Sequence, residues 1–444
     1  MNRMAFFVRT VCTGSLSLLM IAGVAGAEQP YPLAWSKVAD SSGIDHARSV
    51  AVDVAGNAWM TGITYGDLGG PNLGSSDAYL LKYDGTGSLL FSVQIGTSTA
   101  DSGWHVAVDS SCKAFVVGRT MGDLGGMHIG GTYDGFISKY SSSGDLLWSR
   151  QIGTTSNDEA YSVAVDAGGN AFVTGYTSGS LGGINPNAPW DEAVLIKYSP
   201  LGDVVWSRQI GTTDHEQGFG VATDSCGNAF IAGYTQGSLA ADNAGGQDGF
   251  LAKYDGAGGL LWKRQIGTAA YDIVCSVATD ASGNAFIAGK TGGAFEGTDY
   301  ADYDAYVAKY DPDGNLLWLK QFGTAGADSA DCLAVDADGN IFVGGTSQGG
   351  LGGSAGDTDA FVLKFDTSGS LIWSQEYTTL MDERDASVAL DPEGSVFLGG
   401  TSAHIVPSPA PSTAEVFLAR YTVPEPASLL SMSLGAALLL RKRR

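Results

Sequence analysis

Basic residues are scarce in this chain: 24 Lys and Arg stand against 47 Asp and Glu, a formal net charge of −23 at pH 7. Six of the basic residues (Arg3, Arg9, Arg441, Lys442, Arg443 and Arg444) sit at the two ends, so the stretch between them is more acidic still. Such a surface repels phosphate backbones and anionic lipid, which argues against nucleic acid as a partner. Histidine is also rare, with 5 residues, and no His-Glu-x-x-His, Gly-x-Ser-x-Gly or phosphate-loop pattern occurs. His46, His105 and His215 fall in one class of loop but at three different registers, so they do not read as a catalytic set. No stretch shows the 3.6-residue apolar period of a helix, which excludes helical solenoids. Four cysteines lie beyond the N-terminal segment (Cys112, Cys226, Cys275 and Cys332), and their spacing is not that of a zinc site. Cys275 and Cys332 fall near the first strand of adjacent repeat units, where a bridge and two buried free thiols are both open.

Glycine is abundant at 64 residues, while aromatics make up 10% and hydrophobics 44%, the balance of a turn-rich β protein. One signature organises it: an apolar, β-branched run, an Asp, a short turn, a second apolar run and a Gly. The Asp recurs at Asp53, Asp109, Asp166, Asp224, Asp280, Asp336 and Asp391, in steps of 56, 57, 58, 56, 56 and 55 residues. A fixed period of this size marks a repeat architecture. Each unit holds four strand candidates, as in Ser162–Asp166, Asn170–Gly175, Ala193–Tyr198 and Val204–Ile210. Tight turns such as Asp311-Pro-Asp-Gly314 join the third and fourth.

Four antiparallel strands per unit describe a blade, so the expected fold is all-β, a seven-bladed β-propeller over residues 28–422. The chain starts on a fourth-strand pattern, Leu33-Ala-Trp-Ser-Lys37, and ends its last unit on a third-strand pattern, Val416–Tyr421. Closure therefore requires the N-terminal strand to complete the last blade, leaving no unpaired seam. Four columns repeat in every unit: a Gly nine residues after the turn Asp, a basic residue in the third strand, an acid five residues before it, and a Trp or Phe in the fourth strand. Sevenfold recurrence marks all four as structural, with aromatics between blades, Gly at a bulge or close approach, and charges paired locally.

The sequence Asp-x-x-Gly-Asn-x-Phe-Val-x-Gly, then Asp-Ala-Phe-x-x-Lys-Tyr-Asp and Leu-Trp-x-x-Gln-Ile-Gly-Thr, resembles the SBBP β-propeller repeat of bacterial exported proteins. The second unit departs from it, with Ser111-Cys112-Lys113 in place of Gly-Asn, and the seventh has Ser395 for the Asn and Tyr377-Thr378 for Ile-Gly. The resemblance implies a fold and an extracellular habit, and carries no catalytic residues.

Residues 1–27 read as a secretory signal peptide: Arg3 and Arg9 open it, Val11–Val24 form an apolar core, and Ala25-Gly26-Ala27 offers a cleavage site. Residues 423–444 resemble the PEP-CTERM sorting signal, in which Pro424, Glu425 and Pro426 carry the motif ahead of an apolar stretch and the basic end Arg441–Arg444. That resemblance implies a Gram-negative bacterium, an exosortase-type sorting enzyme as partner, membrane contact only through the C-terminal segment before processing, and a matrix rich in exopolysaccharide. The alternative is a plain C-terminal anchor.

One further acidic column lies eight residues before each turn Asp: Asp45, Asp101, Asp158, Glu216, Asp272, Asp328 and Glu383. On the innermost strand these would ring one mouth of the central channel, where oxygen ligands suit Ca²⁺. The competing reading is that each caps its own loop. The calcium-loop echoes at Asp336-Ala-Asp338 and Asp311-Pro-Asp313 lack the closing Glu. The expected function is an exported binding or structural protein at the cell surface or in the matrix, in contact with polysaccharide or a surface protein. The alternative, a lyase- or lactonase-like propeller enzyme with a metal at the channel mouth, rests on fold analogy alone.

Overall fold

The computed structural model describes residues 31–182, 190–295, 302–349, 351, 358–377, 379, 381–404 and 413–423. The signal-like segment 1–27 and the Pro424-Glu425-Pro426 motif with its tail lie outside them. The described residues contain 28 strands, numbered β1–β28 in chain order, and no helix. They form seven four-stranded antiparallel sheets, the blades of a β-propeller.

Blade three shows the local logic. Its strands are β10 (Asp158–Val165), β11 (Ala171–Thr177), β12 (Glu192–Tyr198) and β13 (Val204–Ile210), in sheet order β10-β11-β12-β13. β-branched and aromatic residues set the strands, and an Asp ends the first strand and opens the turn into the second. The Asp166 carboxylate accepts the N–H groups of Gly168 and Asn170 at 2.9 Å each, while Gly169 takes φ 77, a left-handed conformation that closes the turn without a Cβ penalty. The β12 lysine reaches back to the same Asp: Lys197 Nζ lies 3.9 Å from Asp166, as Lys82 lies 3.3 Å from Asp53 and Lys253 3.4 Å from Asp224. The basic column is thus matched to the turn Asp in blades one to five and seven.

The core lies between blades rather than inside them. Phe172, Leu195 and Trp206 of blade three pack on Val221, Ile231 and Phe250 of blade four as one buried cluster. The outer-strand tryptophan then clips the next blade's turn: Trp148 Nε1 donates to Pro200 O at 3.1 Å, and Trp206 to Gly256 O at 3.1 Å.

The ring closes as the terminal strand patterns require. β1 (Leu33–Ala39) pairs with β28 (Thr413–Tyr421), completing blade seven beside β27 (Val396–His404) and β26 (Asp382–Leu390). Trp35 lies opposite Arg420, and Val38 opposite Phe417. Trp35 Nε1 also donates to Gly85 O at 3.0 Å, so the chain's first strand latches onto blade one as Trp148, Trp206, Trp262 and Trp318 latch onto their neighbouring blades.

Candidate functional site at the channel mouth

The first strands of the blades, β2 (Asp45–Val52), β6 (Asp101–Val108), β10, β14 (Glu216–Thr223), β18 (Asp272–Thr279), β22 (Asp328–Val335) and β26, each pack on the next, and β26 returns to β2. They are the inner wall of the ring. The acidic column opens these strands, at one mouth.

Each of those seven acids is buried and occupied by its own loop. Asp158 accepts the N–H and Oγ1–H of Thr154 at 2.6 and 2.9 Å, Asp101 those of Thr97 at 2.6 and 2.9 Å, and Asp272 those of Thr268 at 2.6 and 2.9 Å. Asp45 takes Ser41, Asp328 takes Thr324, Glu216 takes Thr212, and Glu383 takes Thr379 in the same way. Burial dominates their ionisation, pushing Asp45 and Asp158 up to about 6 and Glu383 to about 7 against the pull of these hydroxyl and N–H donors. Among the described residues no three His, Cys, Asp or Glu side chains converge on one point. The structure spreads the seven acids one per blade, each turned into its own loop.

The inner wall has a second column, which the strand reading passed over. In every blade the register slips three residues into the first strand, leaving unpaired Arg48, Trp104, Tyr161, Phe219, Cys275, Asp331 and, in a longer bulge, Asp385 with Ala386. The seven-times repeated Gly of the second strand permits the slip: a Cβ on Gly62, Gly118 or Gly175 would lie 1.9 Å from the carbonyl oxygen of His46, Ser102 or Glu159. The bulged residues, apart from the buried Ala386, are half-buried about 10 Å inside the mouth, by strand rise. Their contacts run around the ring. The Arg48 guanidinium sits 4.8 Å from the Trp104 ring centre and pairs with Asp385, while Trp104 meets Tyr161 edge-on at 5.8 Å and Tyr161 meets Phe219 at 5.4 Å.

Behind the aromatic arc lie Arg119, Glu159, Tyr176 and Tyr234. Arg119 Nη1 donates to Glu159 Oε1 at 2.9 Å and the Tyr176 hydroxyl donates to the same oxygen at 3.2 Å. Burial raises the Glu159 carboxyl, with Arg119, Tyr176 and the Trp104 N–H pulling the other way. On the opposite side of the ring the wall is polar. Ser329 Oγ donates to Asp331 at 2.5 Å, burial raises the Asp331 carboxyl to about 6, and the Cys275 thiol is pushed up to about 12.

The three histidines separate. His46 Nδ1 stands 3.9 Å from Asp385 at the mouth, with its basicity lowered by burial. His105 belongs to the column after the bulge, where four side chains receive an N–H from the next blade. Val163 N donates to His105 Nδ1 at 3.4 Å, as Val106 N does to Ser49 Oγ at 3.3 Å and Val388 N to Cys332 Sγ at 3.1 Å. Burial takes His105 down to about 4, so it is a neutral acceptor. His215 sits in the loop that enters β14, one residue before Glu216, 3.5 Å from Asp191 and edge-on to Trp190 at 4.7 Å. Cys275 and Cys332 are free thiols in neighbouring blades, one in the bulge column and the other one residue past it. Cys112 and Cys226 are free as well.

A family model described as a β-propeller repeat, SBBP, matches residues 147–182, 205–240, 261–296 and 317–352. The chain carries SBBP repeats. The four SBBP matches fall in the most regular part of the ring, while the units bearing Cys112 and Ser395 lie outside them. Regulatory protein FlaEY of Caulobacter vibrioides is 26% identical over 329 residues, 66% of this chain and 34% of that protein. The WD repeat-containing protein L264 of Acanthamoeba polyphaga mimivirus is 24% identical over 384 residues, 71% of this chain and 26% of that protein. The chain thus spans about a third or less of these curated relatives. The polysaccharide lyase Uly1 superposes with a TM-score of 0.52 at 11% identity, covering 91% of this chain and 95% of that one. At that identity the likeness is one of fold.

Proposed function

We propose that this SBBP-repeat protein is an exported binding propeller of the cell surface or extracellular matrix, and that it engages polysaccharide without cleaving it. The observation that carries this reading is the bulge column. Most charged columns of the repeat end in a local partner, whereas the channel wall changes chemistry from blade to blade, and binding sites break the symmetry of the repeats that build them. Arg48 and Arg119 are each matched by a carboxylate there, an arrangement suited to recognition. Chemistry would call instead for a strongly activated acid or base facing free space. Export and sorting are supported by residues 1–27 and by Pro424, Glu425 and Pro426 with the basic end. The shared fold of the lyase Uly1 is compatible with glycan contact and supplies no catalytic residue.

The test is a screen of the mature protein on immobilised polysaccharides, with each hit followed by viscometry. Binding with unchanged polymer length is expected. Depolymerisation would make it an enzyme, and no binding to any polysaccharide would overturn the reading. The mass of the native protein tests sorting: loss of the tail is expected, and retention of Arg441–Arg444 would leave a plain anchor.

A further inference from the structure

We propose that the channel mouth binds a neutral sugar unit, seated on the Trp104–Tyr161–Phe219 arc with its hydroxyls held by the Arg119–Glu159 pair. The inference rests on the polysaccharide reading above and assigns it a place and a ligand class.

Three observations carry it. The first is shape: the three rings form a continuous arc on blades two to four, and all three are half-buried rather than sealed, unlike the fully buried aromatics between blades. Ring surface that the fold leaves accessible in a recess is what the C–H face of a pyranose packs against.

The second is charge. Arg48 is paired with Asp385 and Arg119 with Glu159, while Asp331 adds a further carboxylate to the wall. Both guanidiniums beside the arc are therefore already matched, Lys290 lies on the far wall near Asp331, and the chain's net charge of −23 repels polyanions at long range. Guanidinium–carboxylate pairs, by contrast, offer donors and acceptors side by side, which suits vicinal hydroxyls.

The third is unmet hydrogen bonding. Glu159 is 5% exposed and its Oε2 has no partner, while the Trp104 indole N–H is buried and also unmatched. The indole lies close enough to favour the charged carboxylate but not in hydrogen-bond geometry. One O–H group between them satisfies both, accepting from Trp104 Nε1 and donating to Glu159 Oε2.

The column itself shows which substitutions the ring tolerates, since Cys275 and Ala386 occupy the bulge in other blades. Tyr161→Ala and Phe219→Ala are therefore expected to fold, with thermal melts as the check, and Trp148→Phe on the outer strand serves as control. Calorimetric titration would compare neutral gluco-, galacto- and manno-hexasaccharides with hexagalacturonate at 50 and 500 mM salt. A neutral oligomer binding with less than twofold salt dependence, and weakened at least tenfold by either alanine variant but not by Trp148→Phe, is the expected result. Preference for hexagalacturonate with steep salt dependence would overturn the ligand class while leaving the polysaccharide reading intact. Neutral binding unchanged in both alanine variants would overturn the site and again leave that reading standing. No binding to any oligomer overturns the proposal, and the polysaccharide screen then decides whether the broader reading falls with it.

Discussion

Gly283 and Gly289 both recur in all but one or all of the repeats, and the structure gives them different physics. Gly283 holds φ 79 in the turn, and a Cβ there would meet only Pro312 Cγ at 3.8 Å. Alanine at that position keeps its space and bears the left-handed strain, about 1 kcal/mol. Gly289 lies within β19 (Ala285–Thr291), opposite the bulge of β18, and a Cβ would fall 1.9 Å from Ile273 O, 2.9 Å from its carbonyl carbon and 3.0 Å from Val274 Cα. Those atoms are backbone, so relief requires the inner strand to move by about 1 Å where it is held on both sides, at a cost of about 3 kcal/mol. With an unfolding entropy of about 2 cal/mol/K per residue, a ring of this size loses about 1 °C for each 0.8 kcal/mol. Scanning calorimetry should therefore place Gly289→Ala about 4 °C below the parent and Gly283→Ala about 1 °C below. Gly283→Asn should recover part of its loss, because Asn tolerates the left-handed region. A Gly289→Ala protein melting at or above Gly283→Ala would refute the close-approach argument.

Three further outcomes follow from the same geometry. Cys112 sits at φ 57 where six units have Gly, so Cys112→Gly should stabilise the ring by about 1 kcal/mol, read as a raised denaturant midpoint. Asp45 and Asp158 bind a proton up to about 6 when folded against 3.8 when free. The folded state therefore holds more protons between those values, and stability gained at low pH is lost as pH rises through 6. Glu383, at about 7, extends that window upward. The turn carboxylates Asp53 and Asp224 are shifted down, burial opposing and the Asn57 and Asn228 contacts prevailing, so their contribution disappears on acidification below 3.8. Tm should accordingly peak near about pH 4, and a Tm rising steadily from pH 5 to 8 would contradict the burial of the acidic column. Since each of those acids is capped by its own Thr or Ser, EDTA against millimolar Ca²⁺ should leave Tm unchanged, and a rise of several degrees with calcium would show a cation site.

The period made the ring legible from sequence, because blade count, strand order and the terminal closure all follow from spacing. The columns were harder. The acidic column was legible in position but not in direction: Thr97, Thr154, Thr268 and Thr324 stand four residues before Asp101, Asp158, Asp272 and Asp328, and that Thr-x-x-x-Asp pattern is the cap. The bulge column was missed because strict alternation assumes an unbroken register. Its signal was available, since the position five residues before each turn Asp reads Arg48, Trp104, Tyr161, Phe219, Cys275, Asp331 and Ala386, a place in the strand where the repeats do not repeat. No spacing rule could show that Trp104 lies between two guanidiniums contributed by blades one and two, which the packing of those two blades brings together.

The central claim is that the scaffold is sevenfold and the function sits where it is not. Hydrogen exchange with and without a bound oligosaccharide tests it directly. Protection should appear in residues 101–108, 158–165 and 216–223, with the outer strands and hairpin turns unchanged. Protection confined to the outer strands, or spread evenly over all seven inner strands, would contradict the account.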